Sequence, residues 1–173
     1  MLLRRRRRCQ ANLGLSEAMR SREYLGFIRM LADYQFVAGA GERLFPDDVE
    51  LELSKKTGYI RRIYRDGELL ATLRPSDGYL TLTITAAKIL KELTPGMSFK
   101  VRVSDEARPF ILKGRDVFSR HVTECDKSIA PRQEVLVIDS AGELIAVGRA
   151  LLSGSEMGVM RRGVAVRVRE GLR

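Results

Sequence analysis

The segment from Phe110 to Val122, FILKGRDVFSRHV, holds the residues best suited to chemistry. At its centre, Lys113-Gly114-Arg115 places a glycine between two cations, after a short apolar run and before helix-like spacing. The spacing predicts a strand over 109–112 and a helix from Asp116 onward, with Gly114 at the joint. A helix N-terminus offers free N–H groups and partial positive charge, which suit a phosphate. Such a joint can also serve only to turn the chain, and the residues alone leave both interpretations open.

The helix predicted after this glycine separates its side chains into two faces. The apolar face holds Val117, Phe118, His121, Val122 and Cys125, which we expect to be buried. The opposite face holds Arg115, Ser119 and Arg120, which we expect to face water. His121, the single histidine, is therefore predicted to be a core histidine with satisfied hydrogen bonds in preference to a catalytic base.

The other residues that could do chemistry form no recognisable catalytic or metal site. Cys9 and Cys125 are far apart and form no CxxC pair, so the sequence predicts two plain thiols, with no zinc site and no disulfide. Asp47-Asp48 are adjacent, and neighbouring strand residues point to opposite faces, so we interpret them as turn and surface residues. Gly39-Ala40-Gly41-Glu42 is not a phosphate loop, because no Lys-Ser/Thr pair follows it. We predict neither cofactor nor metal.

The formal charge of +9 indicates an anionic partner, and its distribution is uneven. Arg4 to Arg8 supply +5, residues 10–97 are neutral, and residues 98–173 carry +4. The arginine run is interpreted as an electrostatic arm for nucleic acid, as a solvated tail, or as the product of a start codon assigned too far upstream. No apolar run reaches the roughly 18 residues of a membrane span, and Met1-Leu2-Leu3 lacks the apolar length of a signal peptide. We expect a cytoplasmic protein that contacts no membrane.

The helices and strands that position these residues divide the chain into two predicted domains after a basic arm. Residues 16–36 have helical spacing with Ser16 as N-cap, and short alternating strands follow, with a hairpin turn at Asp66-Gly67. A further helix is predicted over 86–93, before Pro95-Gly96. After that point short β runs dominate, which indicates a small barrel. The predicted fold class is α+β: an antiparallel sheet with helices, then a small β-barrel with one or two helices. The predicted domains are a basic flexible arm at 1–15, an α+β domain at 16–97 and a barrel domain at 98–173.

Three motifs in the barrel region resemble the PUA domain, an RNA-binding module named after pseudouridine synthases and archaeosine transglycosylases. They are Lys113-Gly114-Arg115-Asp116-Val117-Phe118, residues 142–150 with the sequence GELIAVGRA, and residues 162–169 with the sequence RGVAVRVR. The segments ADYQF at 32–36, LFPDDVE at 44–50 and LRPSDG at 73–78 resemble the domain that precedes PUA in archaeal tRNA-guanine transglycosylase. The chain departs from the family at Arg132-Gln133, where the family usually has Gly-Asp.

The resemblance implies an RNA-binding surface on the barrel that includes Lys113, Gly114, Arg115 and Arg120. Charge placement adds Arg149, Arg161 and Arg162 to this surface. The family enzyme also carries a catalytic barrel with a cysteine-rich zinc site, which Cys9 and Cys125 cannot supply. The chain therefore resembles the tRNA-binding tail of that enzyme without its catalytic part. Lys55, Lys56, Arg61, Arg62 and Arg65 could extend the RNA track into the first domain.

We therefore expect a non-catalytic RNA-binding protein whose partner is tRNA or another structured RNA. It could act as a detached targeting subunit for a separate catalytic chain of a tRNA-modification system. Two alternatives stay open: a protein-interaction adaptor that docks through the α+β domain, and an RNA-modifying enzyme with an unrecognised site.

Overall fold

The first domain, residues 22–97, combines three helices with a four-stranded antiparallel sheet. The structure, a computed structural model, describes residues 22–172, so the arginine run at Arg4 to Arg8 and the proposed N-cap Ser16 lie outside it. The strands follow one another in the order β1-β2-β3-β4. The elements are α1 (residues 22–35), α2 (Ala40–Leu44), β1 (Glu50–Leu53), β2 (Ile60–Arg65), β3 (Glu68–Leu73), β4 (Leu80–Leu82) and α3 (Ile84–Leu93).

The hairpin between β2 and β3 turns at Asp66-Gly67, as the sequence predicts. Asp66 has a φ of 50° and Gly67 a φ of 77°. Positive φ at both central residues is the feature of the type I′ turn, whose twist matches that of the flanking strands. Arg65 and Glu68 pair directly on either side of the turn.

One face of this sheet is covered by the helices and forms the first core. Ile28 of α1, Ile63 of β2, Leu80 of β4 and Leu90 of α3 belong to one cluster and are at most 1% exposed. Burying an aliphatic side chain of this size stabilises the fold by about 1.5–3 kcal/mol.

The barrel domain, residues 98–172, is a six-stranded sheet in the order β6-β10-β9-β8-β5-β7. β5 and β8 are parallel, and the other pairs are antiparallel. The two end strands, β6 and β7, are joined by a short 3-10 turn, so the chain itself bridges the seam of the barrel. The elements are β5 (Lys100–Val103), α4 (Arg108–Leu112), β6 (Val117–Phe118), the 3-10 turn Ser119–His121, β7 (Val122–Cys125), β8 (Glu134–Ile138), β9 (Leu144–Ala150), α5 (Gly154–Met157) and β10 (Val164–Gly171). The α+β class and the helix-containing barrel are thus confirmed.

Residues 109–125 differ from the sequence prediction in every element. Residues 109–112, predicted as a strand, belong to helix α4. Residues 116–125, predicted as a helix, contain β6, the 3-10 turn and β7. A run of four apolar residues does not distinguish a strand from a helical turn, and Pro109 fits the first turn of a helix.

Gly114 therefore follows a helix instead of opening one. Its φ is 81°, its N–H donates to the Ile111 carbonyl at 2.9 Å, and the Arg115 N–H donates to the Phe110 carbonyl at 3.1 Å. These two bonds make a Schellman motif, in which the residue after the helix adopts the left-handed conformation that glycine tolerates best. The carbonyl end of α4 lies here, so the predicted helix N-terminus facing a phosphate is wrong. Nothing among the described residues lies within 4 Å of a Cβ placed on Gly114, so close backbone approach is not its role within the chain.

The open edge of the first sheet, at β4, is closed by side chains. The Gln35 amide donates to the Leu80 carbonyl and accepts from the Leu80 N–H, both at 2.8 Å. From the barrel domain, Glu134 accepts from the Leu82 N–H at 3.0 Å and Arg169 donates to the Leu82 carbonyl at 2.7 Å. Because a free strand edge can pair with another chain, these contacts protect the sheet as well as joining the domains.

The carboxylate of Glu134 is buried at this junction together with its ionic partner. Its side chain is 1% exposed and forms an ion pair with Arg169, whose side chain is 38% exposed. Burial raises the pKa of the Glu134 carboxyl, and the Arg169 guanidinium and the Leu82 N–H oppose that shift. Leu136 and Leu144 of the barrel also belong to the core cluster of the first domain. The two domains therefore share a core and form one body.

Arg132 occupies the departure from the family pattern and links the domains. Its φ is 73°, a left-handed conformation that is costly for a residue with a side chain. Its guanidinium pairs with Asp77 of the first domain at 3.1 Å, and its carbonyl accepts from Arg74 at 3.4 Å. The arginine thus holds a left-handed conformation while its side chain and carbonyl make contacts across the junction.

Candidate nucleic-acid interface

β6 and the segments beside it carry three of the proposed RNA-binding cations. Lys113 and Arg115 follow α4, and Arg120 lies in the 3-10 turn after β6, all three of them exposed. At most about 18 Å of chain separates Arg115 from Arg120. Because β6 lies at one end of the sheet order, these side chains follow an edge of the barrel.

The segment before β10 brings two more arginines to the same edge. Phe118 of β6 pairs with Val164 of β10. The Gly163 carbonyl accepts from the Ser119 N–H at 3.0 Å and from the Ser119 hydroxyl at 3.3 Å. Arg162 immediately precedes Gly163, so the structure places it beside the turn that holds Arg120. We call Lys113, Arg115, Arg120, Arg161 and Arg162 the basic edge.

Phe118 and Ser119 lie opposite to the sequence prediction, since Ser119, expected to face water, is only 3% exposed; His121 has the predicted hydrogen bonds but is only partly buried. Phe118, expected in the core, is 47% exposed, and the Arg120 guanidinium carbon lies 6.0 Å from its ring centroid. His121 is half-buried; its Nε2 accepts from Arg120 Nε at 3.0 Å, and its Nδ1 lies 3.3 Å from the Ser104 hydroxyl. The ring and the imidazole together hold Arg120 in place. Sequence reasoning missed Phe118 because a short edge strand has no periodic signal of its own.

Arg149 lies apart from the basic edge. It is half-buried in β9, where its cross-strand neighbours are Glu134 and Arg167, and β10 separates β9 from β6. Arg167 is exposed and was missed as a candidate. The alternation of buried Val166 and Val168 around it predicts that its side chain faces outward, which could have identified it.

The cations of the basic edge have no carboxylate partner among residues 22–172. Arg149 and Arg167 also form no ion pair there, whereas Arg102, Arg108, Arg132 and Arg169 of the same domain do. The carboxylates of the barrel domain, with Glu106 as the exception, are engaged in hydrogen bonds or ion pairs. They are Asp105, Asp116, Glu124, Asp126, Glu134, Asp139, Glu143, Glu156 and Glu170. Among residues 22–172 the five cations of the basic edge therefore take part in no ion pair and are available to an anionic ligand.

Two buried or half-buried aspartates show how firmly the carboxylates are engaged. Burial alone would raise the pKa of Asp139, but the Glu143 N–H and the Arg108 guanidinium hold it below its usual value. Burial acts in the same direction on Asp126, yet hydrogen bonds from Ser128 and the Phe99 N–H hold the pKa of that carboxyl low. Both groups stay ionised at neutral pH, and neither forms an ion pair with a cation of the basic edge.

The described residues offer little to catalysis or metal binding. No group of three or more His, Cys, Asp or Glu among residues 22–172 could hold a metal ion. Burial raises the pKa of the Cys125 thiol, with Asp126 adding to the shift, so this thiol is a poor nucleophile at neutral pH. In the same range no helix has the length and apolar character to cross a membrane.

The first domain contributes cations of two kinds. Arg62 pairs with Glu52 and Arg65 with Asp48, so both are engaged within the protein. The exposed side chains of Lys55, Lys56 and Arg61 form no ion pair with a described residue. These three residues are the ones that could extend an RNA track.

Comparison with known proteins identifies both domains. A family described as the patch-forming domain C2 of tRNA-guanine transglycosylase matches residues 27–96, and the PUA domain matches residues 99–172. The tRNA-guanine(15) transglycosylase of Methanothermobacter thermautotrophicus is 45% identical over 144 residues, which are 83% of this chain and 22% of that protein. That of Pyrococcus furiosus is 46% identical over 146 residues, 84% of this chain and 24% of that protein. The chain thus spans about a quarter of the length of these relatives.

Solved structures show the same fold at lower identity. A hypothetical protein of Pyrococcus horikoshii OT3 superposes with a TM-score of 0.68 at 22% identity, covering 87% of this chain and 91% of the other. A conserved PUA domain protein of Thermoplasma acidophilum gives 0.60 at 22% identity, covering 87% and 89%. Residues 27–172 are thus almost fully assigned to the two domains and include no part of a catalytic barrel. The chain is a PUA-domain protein that resembles the C-terminal region of archaeal tRNA-guanine transglycosylase.

Proposed function

We propose that this protein binds structured RNA, with tRNA as the favoured ligand, through the basic edge of its PUA domain. The observation that carries the proposal is the uncompensated charge. Five exposed cations on the basic edge have no ionic partner among the described residues, while the neighbouring carboxylates are held by other groups. Cations without internal partners are free to replace the counterions of a phosphate backbone.

The arrangement of the cations along β6 favours contact with a continuous RNA backbone over contact with isolated phosphates. The cations are spread over the length of the edge, as successive phosphates along a strand require. A groove of about 550 Å³ adjoins it, lined by Thr85 of α3 and by Lys113, Gly114 and Glu170 of the barrel domain among others. Double-stranded RNA is bound mainly through its shape, phosphates and 2′-hydroxyls, which such a surface can contact.

Gly114 belongs to this site through its conformation. The Schellman motif turns the chain sharply after α4, so Lys113 and Arg115 leave the helix in the positions that they hold on the basic edge. Arg149 and Arg167 form a second, separate pair of free cations on β9 and β10. We expect them to contribute less to affinity than the basic edge.

The relatives support tRNA as the ligand and a role in tRNA modification. They are named tRNA-guanine(15) transglycosylases, and the part that they share with this chain holds the C2 and PUA domains. We infer that the protein itself is non-catalytic and delivers RNA to a separate catalytic chain as a targeting subunit.

A second candidate function is the docking of a protein partner on α1. One face of this helix packs into the core through Ile28 and Ala32, both 0% exposed. The opposite face leaves Phe27, Met30 and Tyr34 45%, 65% and 80% exposed, at the i, i+3 and i+7 spacing of one helix face. This apolar stripe suits a protein partner, and docking there would leave the basic edge free, so the adaptor and the RNA-binding roles are compatible.

The first experiment is the binding of total tRNA by the full chain at several salt concentrations, with a variant that lacks Arg4 to Arg8 alongside. Binding by the folded domains should survive loss of the arginine run and weaken linearly on a log–log salt plot. With the five cations of the basic edge in contact, the slope should be no steeper than about −5. Binding that disappears with the arginine run would refute a site on the PUA domain.

Charge reversal then locates the site. Lys113→Glu with Arg115→Glu should reduce affinity about tenfold to a hundredfold and make the salt slope shallower. Lys55→Glu with Lys56→Glu makes the same change in net charge on the first domain and serves as the matched control. Equal losses in the two double variants would extend the RNA track onto the first domain and refute a site confined to the basic edge. A loss in the control alone would place the site on the first domain.

A further inference from the structure

Arg120 differs from other arginines of the barrel domain in the kind of group that holds it. Four arginines of that domain pair with a carboxylate, which fixes the guanidinium and also neutralises its charge. They are Arg102, Arg108, Arg132 and Arg169. Arg120 instead donates from Nε to His121 Nε2 at 3.0 Å, and its guanidinium carbon lies 6.0 Å from the centroid of the Phe118 ring. An imidazole and a phenyl ring therefore orient this guanidinium while its charge stays available.

The contacts of His121 fix which of its nitrogens carries the proton. A guanidinium keeps all its protons at neutral pH, so Arg120 Nε must donate and His121 Nε2 must accept. The ring proton of the neutral imidazole then lies on Nδ1, which donates to the Ser104 hydroxyl at 3.3 Å. The main chain makes the same connection, because the Ser104 N–H donates to the His121 carbonyl at 2.9 Å. His121 is thus anchored through both its backbone and its ring to the residue that follows β5.

This anchoring leaves Arg120 ready for one kind of phosphate contact. Its Nε is occupied by the imidazole, and its terminal nitrogens, Nη1 and Nη2, have no hydrogen-bond partner among residues 22–172. Two parallel N–H groups of a guanidinium form a fork that matches two oxygens of one phosphate. An arginine that is free in solution loses rotamer freedom when it binds, and a side chain that is already ordered avoids that cost.

We propose that His121 is a positioning residue for RNA binding. Its neutral imidazole, fixed by Ser104, holds Arg120 so that Nη1 and Nη2 bind one backbone phosphate end-on. The inference rests on the proposed RNA binding and goes beyond it by giving a role to the single histidine of the chain. His121 itself touches no RNA in this scheme and acts through Arg120. A lysine cannot replace Arg120, because it has neither the Nε–H that the imidazole accepts nor the planar fork.

The first test compares the same substitution at two arginines of the basic edge, with tRNA as the ligand of the full chain. Arg120→Lys should weaken binding about threefold to tenfold, because the lysine keeps the charge and loses the imidazole contact. Arg115→Lys is the matched control and should weaken binding less than about twofold, since no described side chain holds Arg115. Both side chains are exposed, so neither substitution disturbs the core. Equal losses in the two variants would overturn the positioning role.

The second test changes the histidine. His121→Leu should weaken tRNA binding about threefold to tenfold, and His121→Gln, whose amide oxygen can accept from Arg120, should restore most of the loss. In an Arg120→Ala background His121→Leu should have no further effect, because the two residues act as one unit. A glutamine variant as weak as the leucine variant, or a loss that persists without Arg120, would overturn the inference. The unfolding midpoint of each variant is measured alongside, because His121 is half-buried.

A spectroscopic measurement tests the hold on Arg120 without RNA. Nitrogen-15 NMR of the imidazole should show a protonated Nδ1 and an unprotonated Nε2, and Ser104→Ala should reduce the share of that tautomer. A neutral ring that carries its proton on Nε2 would overturn the inference. Absence of tRNA binding by the wild-type chain would instead overturn the proposed function, and the role of His121 with it. Normal tRNA binding with no difference between Arg120→Lys and Arg115→Lys would remove the positioning role alone.

Discussion

The junction between the domains allows a sharp test of how they are held together. Glu134→Ala removes a carboxylate that is 1% exposed and that contacts Arg169 and the Leu82 N–H. Both partners stay in place, on β10 and β4. The substitution therefore leaves a buried donor and a guanidinium without their acceptor, and leaves the backbone of β8 unchanged.

The expected loss of stability follows from these contacts. Leu82 is 0% exposed, so its N–H would stay unpaired at a cost of about 1–3 kcal/mol. Removing one partner of a buried ion pair costs about 3–5 kcal/mol. Arg169 is 38% exposed and keeps its hydrogen bond to the Leu82 carbonyl, so the loss of the ion pair should cost only the lower end of that range. The two costs describe overlapping contacts, and we expect a total of about 3 kcal/mol. Glu134→Gln keeps an oxygen for the Leu82 N–H and should cost about 1 kcal/mol.

The assay is urea unfolding at pH 7 followed by far-ultraviolet circular dichroism. The control is Glu143→Ala, the same change at a side chain that is 73% exposed and also pairs across the junction, with Lys91 at 3.4 Å. An exposed pair of this kind contributes less than about 1 kcal/mol. Equal midpoints for the two alanine variants, or a glutamine variant as unstable as the alanine variant, would refute the reasoning.

Four further substitutions test three individual positions, and the unfolding midpoint of each variant is measured. Gly114→Ala should cost about 1–2 kcal/mol because of its φ of 81°, and leave RNA affinity nearly unchanged; a large loss of affinity at unchanged stability would contradict its conformational role. Arg132→Ala should cost about 1 kcal/mol, because alanine keeps the unfavourable φ of 73° and loses the ion pair with Asp77. Arg132→Gly should be neutral within about 0.5 kcal/mol, because glycine tolerates that φ and so offsets the lost ion pair. A glycine variant less stable than the alanine variant would show that the backbone at this position is not strained. The pKa of Asp139 is lower in the folded protein than in the unfolded chain. Its ionised carboxylate therefore stabilises the fold fully above about pH 4, and this stabilisation is lost as the pH falls through the folded-state pKa. Asp139→Asn should therefore be less stable at pH 7 and lose less on acidification, and parallel pH profiles for the two proteins would contradict this.

The sequence predicts those elements whose signals are local. The hairpin at Asp66-Gly67 is predicted correctly because both residues accept the positive φ that the turn requires. The strands of the first sheet alternate apolar and polar residues because helices cover only one of its faces. The motifs that resemble the PUA domain identify the barrel as a whole, although the reading of residues 109–125 within it was wrong. Val117 and Phe118 point to opposite sides of a two-residue strand, and two residues are too few for the apolar–polar alternation by which a strand is recognised in a sequence.

The sequence names candidate cations, but it does not show which of them lie together or which form ion pairs. Whether a cation is free depends on carboxylates far along the chain: Arg169 meets Glu134, and Arg108 meets Asp139. Such pairs carry no signature in a single sequence, because they arise from the register of strands that are distant in order. The separation of Arg149 from the basic edge depends on the same register.

The closed edge of β4 has a consequence for protein engineering. The backbone of Leu82 receives its partners from Glu134 and Arg169, which lie downstream of every residue of the first domain. A shortened chain that ends at Gly96 would present a strand with an open hydrogen-bonding edge, able to recruit strands from other molecules. Residues 98–172 alone would expose Leu136 and Leu144, which now lie within the shared core. For transplantation into another protein, the two domains are therefore best moved as a single piece.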